Sequence, residues 1–378
     1  MHKGNGKTMA KKVKQVEKIK VGIWGLGRAG YGMHVPELLS FGSEFEIVAG
    51  CDVDAARLKT FQAKVPGAAG YVDGDAFLAD PNVELVAVAV RSTQHVDYAI
   101  RALKAGKYVV AEKPFALTLA GAKKLAREAA KHPGRLFVRH NRRFESAFNH
   151  IREIIASGIL GEVYEMKLCR HNYQFRNDWQ TLTGCGGGQL NNWGPHLIDQ
   201  ALRLLESPVE SLWSDLKNVA ALGDAEDHLK LVFRGRNGRV VDVEISGGIA
   251  LSSPVYAVYG TRGSLISEDE HDIKLRYLDP AFKGPARGTA SSDTPPMTGG
   301  FGGSVAPKWI RKTIMVEPAN GANTNAIYHA VFMSIRHKAA YPISIEEAVE
   351  VVRWTEQAKR QNPSFKLKPD VYGVKTLA

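Results

Sequence analysis

The chain has 378 residues, 44% apolar and 24% charged, with a formal charge of +11 and three cysteines. That length accommodates two domains, the composition is ordinary for a folded globular chain, and no stretch approaches the roughly 18 apolar residues of a membrane-spanning helix. Cys51, Cys169 and Cys185 are too few for a disulfide framework and suit a reducing compartment, so a cytoplasmic location is expected.

Residues 1–20 carry seven lysines against Glu17, which is +6 of the total. Residues 1–18 read as a basic, flexible extension, with no apolar run of the secretory kind behind them. The rest of the chain mixes both signs. A nucleic-acid partner and a membrane are therefore not expected, while a mildly basic body suits an anionic substrate or a dinucleotide.

The first strand, Val21–Trp24, runs into Gly25-Leu26-Gly27-Arg28-Ala29-Gly30. In a GxGxxG turn the first glycine allows the tight bend. The second lets the backbone approach a pyrophosphate, and the third lets helix and strand pack closely. Free N–H groups at the helix start, including those of Arg28 and Ala29, then favour the anion. The pattern alone is weak in a chain with 37 glycines. Its context strengthens it. A helix is predicted over Ala29–Leu39, with Pro36 distorting it. The next strand, Phe45–Cys51, ends at Asp52, 22 residues beyond Gly30. A carboxylate there binds ribose hydroxyls and repels a 2′-phosphate, which favours NAD over NADP. Arg57 is the one nearby cation able to offset it. Asp54 reads as the cap of a helix from Ala55 to Phe61.

Val83–Val90 is nearly all apolar, as a strand covered on both faces should be. The loop after it offers Ser92, Thr93 and His95 to the cofactor, and a helix is expected over His95–Ala105. The strand Tyr108–Ala111 leads into Glu112-Lys113-Pro114. An ammonium at a strand's carboxyl end can hold a substrate hydroxyl and stabilise negative charge developing on it. Glu112 can bind a cofactor ribose or orient the lysine. A helix over Ala120–Lys131 and a strand at Leu136–Val138 complete an alternation that implies a parallel, doubly wound α/β Rossmann domain over residues 19–140. Asn141 and Arg142 stand at the junction with the second domain, residues 141–378.

There the pattern changes. A helix over Ala147–Ala156 precedes a strand at Val163–Asn172, and a helix over Pro195–Leu205 follows a glycine- and asparagine-rich loop. Strands are predicted at Val209–Leu216, Leu229–Arg234, Val240–Ser246 and Val255–Gly260, with shorter ones at 264–268 and 272–278. So few helices between them imply an α+β domain with a mostly antiparallel sheet. Residues 280–307 read as a long loop, and Thr324–Lys338 and Ile345–Gln361 as helices.

Two stretches of this domain carry chemistry. Tyr173, Arg176, Asp178 and Trp179 crowd one segment and suit a sugar. In Gly186–Asp199, Asn192 and His196 are four residues apart. His196 in the first turn of a helix has its protonated form disfavoured by the dipole, and a neutral imidazole is what a general base for a hydroxyl needs. Asp199 can orient it or contact substrate. No third ligand joins His196 and Asp199, so no metal site is expected.

Four stretches in order, GIWGLGRAG at 22–30, AEKP at 111–114, NRRF at 141–144 and GGGQLNNWGPHLIDQ at 186–200, resemble the Gfo/Idh/MocA family of NAD(P)-dependent sugar and inositol oxidoreductases. The likeness covers residues 19 to about 361. It implies a Rossmann domain followed by a domain with a large open sheet whose outer face often joins subunits, hence a homodimer or homotetramer. The family's lysine falls on Lys113 and its histidine on His196. The aspartate that often precedes that histidine by four is Asn192 here, which cannot relay a proton and suits a hydroxyl contact instead. The implied reaction is hydride transfer between NAD(H) and a carbohydrate-like hydroxyl. A glycosidase or eliminase with a transient redox cycle, and a non-catalytic dinucleotide-binding regulator, are the alternatives.

Overall fold

The computed structural model describes residues 17–288, 305–317 and 322–368. Most of the lysine-rich extension and residues 289–304 of the expected loop lie outside the described residues. Among the described residues, the first half builds a six-stranded parallel sheet in the order β3-β2-β1-β4-β5-β6. Its strands are β1 (Ile19–Trp24), β2 (Phe45–Cys51), β3 (Ala69–Tyr71), β4 (Leu85–Val88), β5 (Tyr108–Ala111) and β6 (Leu136–Val138). Between them run α1 (Val35–Ser40), α2 (Ala55–Lys64), α3 (Gly74–Ala79), α4 (His95–Lys104) and α5 (Leu119–Ala129). All of β4 is buried, which is why its sequence shows no alternation. Asp54 caps α2 by accepting from the Ala56 and Arg57 amides, and Thr118 caps α5.

Two local readings change. The helix after the glycine turn is not regular: Gly30–His34 form one widened turn closed by Val35 N–H to Gly30 O, and α1 follows with Pro36 in its first turn. A proline has no N–H to lose there. The edge strand β3 and short α3 have no periodic signature. Ala69-Gly70-Tyr71 extends because Ala49–Cys51 offer it a ladder.

The second half forms an eight-stranded sheet, β14-β13-β12-β11-β7-β10-β9-β8, antiparallel except where β10 pairs with β7. The strands are β7 (Val163–His171), β8 (Val209–Lys217), β9 (His228–Gly235), β10 (Val240–Ser246), β11 (Tyr256–Gly260), β12 (Gly263–Ser267), β13 (Asp272–Leu278) and β14 (Trp309–Met315). The last was not foreseen; it pairs along all of β13. The helices α6 (Ser146–Ala156), α7 (Gln189–Asn192) and α8 (Gly194–Leu205) lie before β8 in the chain, and α9 (Ala322–His337) and α10 (Ile345–Gln361) end it. The chain then returns to the first sheet. Ile327, Tyr328, Val331 and Phe332 of α9 join the Rossmann core rather than that of the second sheet, and α10 gives Val352 to one core and Ala358 to the other. α9 and α10 thus clamp the two halves, with the Ser344–Glu347 capping box starting α10. No helix among the described residues is long and apolar enough to cross a membrane.

Candidate active site

The strand order reverses between β1 and β4, and open parallel sheets bind ligands beyond the carboxyl ends of strands at such a point. The turns after β1, β4 and β5 meet there. Gly25 has φ +97°, and a Cβ on it would lie 2.7 Å from the Ala89 backbone. A Cβ on Gly30 would fall 1.8 Å from Gly25 O. Gly27 differs: a Cβ there meets nothing closer than the Arg57 guanidinium at 3.8 Å. Gly25 and Gly30 are needed by the fold, whereas packing does not demand Gly27. Its open face, beside the helix-start amides of Arg28 and Ala29, fits a pyrophosphate. Asp52, buried at the end of β2, accepts from the Leu26 amide at 2.7 Å and from the Asp54 amide at 3.0 Å, with Arg57 at 3.6 Å. It therefore shapes the turn that it was expected to serve only as a ribose ligand.

Lys113, Ser92, Trp179, Gln180 and Asn192 line a narrow cleft together with Gly186–Gly188. The ammonium of Lys113 donates to Asn192 O and Oδ1, each at 3.1 Å. Burial pulls its pKa from 10.5 down to about 8, aided by Arg139, Arg28 and Arg142 and opposed by Glu112. One turn beyond Asn192, His196 is buried, its ring edge-on to Trp193 with centroids 6.1 Å apart. Burial, then Lys113, Arg142 and His140, push its pKa well below the usual histidine range, so the ring is neutral. Arg142 stacks over Trp193 at 4.0 Å and pairs with Glu145. Asn141 is buried at the start of the same turn.

Several expected ligands do other work. His95 is buried, with Nδ1 2.8 Å from Pro114 O and Nε2 3.1 Å from Val90 O. Burial lowers its pKa and favours the neutral ring, so one nitrogen carries the proton and donates to one of these two carbonyls, bracing the β4 and β5 turns. Glu112 is turned inward. It takes Arg139 at 2.8 Å and His34 at 3.0 Å, and its Oε2 accepts from the Lys113 amide. Burial opposes its ionisation, but Arg139, His34 and Lys113 outweigh that and hold its pKa well below the carboxylate range. It anchors the lysine turn. Asp199 is 1% exposed and is gripped by Arg143, with Nε at 2.9 Å. Thr93 and Tyr173 are exposed and stand outside the residues lining the cleft, and Arg176 and Asp178 bind each other at its rim. Trp179 does line it, with Arg91 stacked 5.8 Å away.

Residues that sequence reasoning missed lie behind these. His34 hydrogen-bonds Tyr328 of α9, and Arg139 bridges Glu112 to Glu37. His34 follows Gly30 by four residues, but nothing local links it to Tyr328. Among the described residues no group of three His, Cys, Asp or Glu is placed to hold a metal ion.

Comparison with known proteins shows the family and the fold. Residues 19–140 match the family model described as an oxidoreductase family with an NAD-binding Rossmann fold. Residues 148–266 match that of the GFO/IDH/MocA C-terminal domain. The chain is 28% identical over 356 residues to scyllo-inositol 2-dehydrogenase (NADP(+)) IolW of Bacillus subtilis, covering 93% of this chain and 96% of that one. It is 29% identical over 263 residues to an inositol 2-dehydrogenase of Acidothermus cellulolyticus, covering 68% and 75%. Among solved structures, an NAD-binding protein from Listeria innocua shares the fold, with a TM-score of 0.75 at 24% identity, covering 94% and 98%.

Proposed function

The chain belongs to the Gfo/Idh/MocA oxidoreductase family, and from that premise we propose that it transfers hydride between NAD(H) and a secondary hydroxyl or keto carbon of a sugar, sugar derivative or cyclic polyol. It is an oxidoreductase with an NAD-binding Rossmann domain. The polyol class is supported by the relatives named for inositol. The observation that carries the reading is the meeting of Lys113, from the end of β5, with Asn192, one helical turn before His196.

The open face at Gly27 would take the pyrophosphate, and Asp52 the adenosine ribose. The buried carboxylate of Asp52 supports NAD, while Arg57 beside it leaves room for weaker use of NADP. When bound, the nicotinamide supplies the hydride acceptor or donor. In the oxidising direction His196 takes the hydroxyl proton at Nε2, as its low proton affinity keeps the ring neutral and ready. Lys113 donates to the same oxygen and offsets its developing negative charge. Asn192 holds the ammonium in place, and Trp179 lines the cleft for substrate contact. The outer face of the open sheet exposes Tyr164, Trp213 and Trp309, which suits contact between copies in a homodimer or homotetramer.

The test is a screen of inositols, hexoses and their keto forms with NAD(H) and NADP(H), followed at the nicotinamide absorbance. Binding of NAD with no hydride transfer to or from any compound would refute the dehydrogenase reading. Cleavage of a glycoside without net NADH would replace it with a transient redox cycle. His196→Ala and Lys113→Ala should each lower kcat on a positive substrate by about 100-fold or more. Unchanged turnover in either would refute that residue's role.

A further inference from the structure

Three ring nitrogens behind the proposed base have no use in the site as described. His196 and Asp199 are three residues apart on α8, so they share a face about one turn apart. His140, just beyond β6, stands against that face with Nδ1 3.5 Å from Asp199 Oδ1. Its ring is fully buried, and among the described residues neither of its nitrogens has a hydrogen-bond partner within normal reach. The same holds for the buried Nδ1 of His196. Buried polar groups are partnered as a rule, and leaving one unpartnered is destabilising.

The leftover atoms are complementary. Asp199 is an anion: burial opposes its charge, but His140 and Arg143 outweigh that. A carboxylate beside Nδ1 of His140 selects the tautomer with the proton there, which leaves Nε2 of His140 as a bare acceptor. His196, acting as a neutral base through Nε2, must carry its own proton on Nδ1. One ring thus offers a buried acceptor and the other a buried donor, on adjoining elements.

We propose that His140 is a positioning residue whose Nε2 accepts the Nδ1 proton of His196, directly or through one water, so that Asp199, His140 and His196 form a chain that fixes the base in its working tautomer. This rests on the reading of His196 as the base. The charged and titratable groups acting on the base are Lys113, Arg142, His140 and Glu112, and Asp199, held by Arg143, stands against His140. When His196 takes a proton at Nε2, the new positive charge arises next to Lys113 and Arg142. The bond to His140, backed by the Asp199 carboxylate, fixes which ring nitrogen takes the proton, and Glu112 is the group that offsets the charge. Arg143 keeps Asp199 ionised and in place.

The test combines a spectroscopic and a kinetic readout on the full chain. In 15N-histidine spectra of the wild-type protein, His196 (assigned by its loss in His196→Ala) should be a single Nδ1–H tautomer. In His140→Phe it should become a mixture of tautomers. On the best polyol from the screen, His140→Phe should lose about tenfold or more in kcat, with KM and NAD affinity little changed. His140→Gln, which keeps one donor and one acceptor, should recover much of the loss. An unchanged tautomer and kcat in His140→Phe overturns the proposal. Equal losses in the Phe and Gln variants, tracking a fall in Tm, also overturn it, because packing alone then explains them. A His196→Ala enzyme that still turns over refutes the base reading itself. Loss in His196→Ala beside wild-type behaviour of His140→Phe refutes only the chain.

Discussion

Replacing Lys113 by methionine is expected to make the protein more stable while abolishing turnover. The ammonium loses proton affinity on folding, from 10.5 to about 8, first because it is buried. Each displaced pH unit corresponds to about 1.4 kcal/mol, so carrying the charge in the folded state costs about 3 kcal/mol. Methionine fills a similar volume without charge. It also leaves Asn192 O and Oδ1 without their donor, at a cost of about 1–2 kcal/mol, so the net gain should be about 1–2 kcal/mol near pH 7. The sign of the pH dependence follows from the direction of the shift. Between about pH 8 and 10.5 the unfolded chain binds more protons than the folded one, so wild-type stability rises across that window. The penalty is full below about 8 and gone above about 10.5. The variant lacks it but keeps the cost at Asn192, so its advantage should be largest near neutrality and turn into a deficit of about 1–2 kcal/mol near pH 10.5. Urea unfolding midpoints of both proteins at pH 7 and 10 measure this. A variant no more stable than wild type at neutrality, or an advantage that persists undiminished at high pH, would refute the claim that Lys113 is held charged against its burial.

The glycine turn separates folding from binding. Gly27→Ala should leave Tm unchanged and weaken NAD(H) about tenfold or more by fluorescence titration, whereas Gly30→Ala, with its Cβ 1.8 Å from Gly25 O, should lose folded protein; matching Tm losses in both would contradict the assignment. Arg57→Ala should weaken NADP more than NAD, because the guanidinium beside Asp52 is the nearby cation able to offset the repulsion of a 2′-phosphate; an unchanged ratio of the two kcat/KM values removes it from cofactor choice. Asp199→Asn should destabilise the fold by about 3 kcal/mol by leaving Arg143 short of its buried partner. The depressed carboxyl contributes stability that is present above the ordinary carboxylate pKa of about 4 and lost on acidification below it. Acid unfolding profiles should therefore converge for wild type and variant at low pH, and a constant gap would disprove the linkage.

Much of the scaffold is legible in the chain because it is local and periodic. Val21–Trp24 followed by spaced glycines, the unbroken apolar run of β4, and the short strand before Lys113 each follow from strand burial and turn geometry within a few residues. β3 and β14 were missed for the converse reason. Ala69-Gly70-Tyr71 and Trp309–Met315 become strands because β2 and β13 present them with a ladder, and no local pattern encodes a neighbour. The same holds for α9, whose sequence says helix but not that it packs into the first core.

The site divides along the same line. Residue type and position at the end of an element point to Gly25–Gly30, Asp52, Lys113, Asn192 and His196 as candidates, since a phosphate-binding turn or a charge at a strand end is a property of one segment. The occupations of His95, Glu112 and Asp199 were decided by the tertiary structure. Each is a polar side chain taken from water on folding, and its partners come from Pro114, Arg139 and Arg143 on other elements. A buried charge or ring nitrogen must be satisfied by whatever the fold brings beside it. The sequence by itself determined which groups can do chemistry. Only the packing of α8 and α9 against the end of the Rossmann sheet decided which of them are free to face the cleft and which are consumed in holding it open.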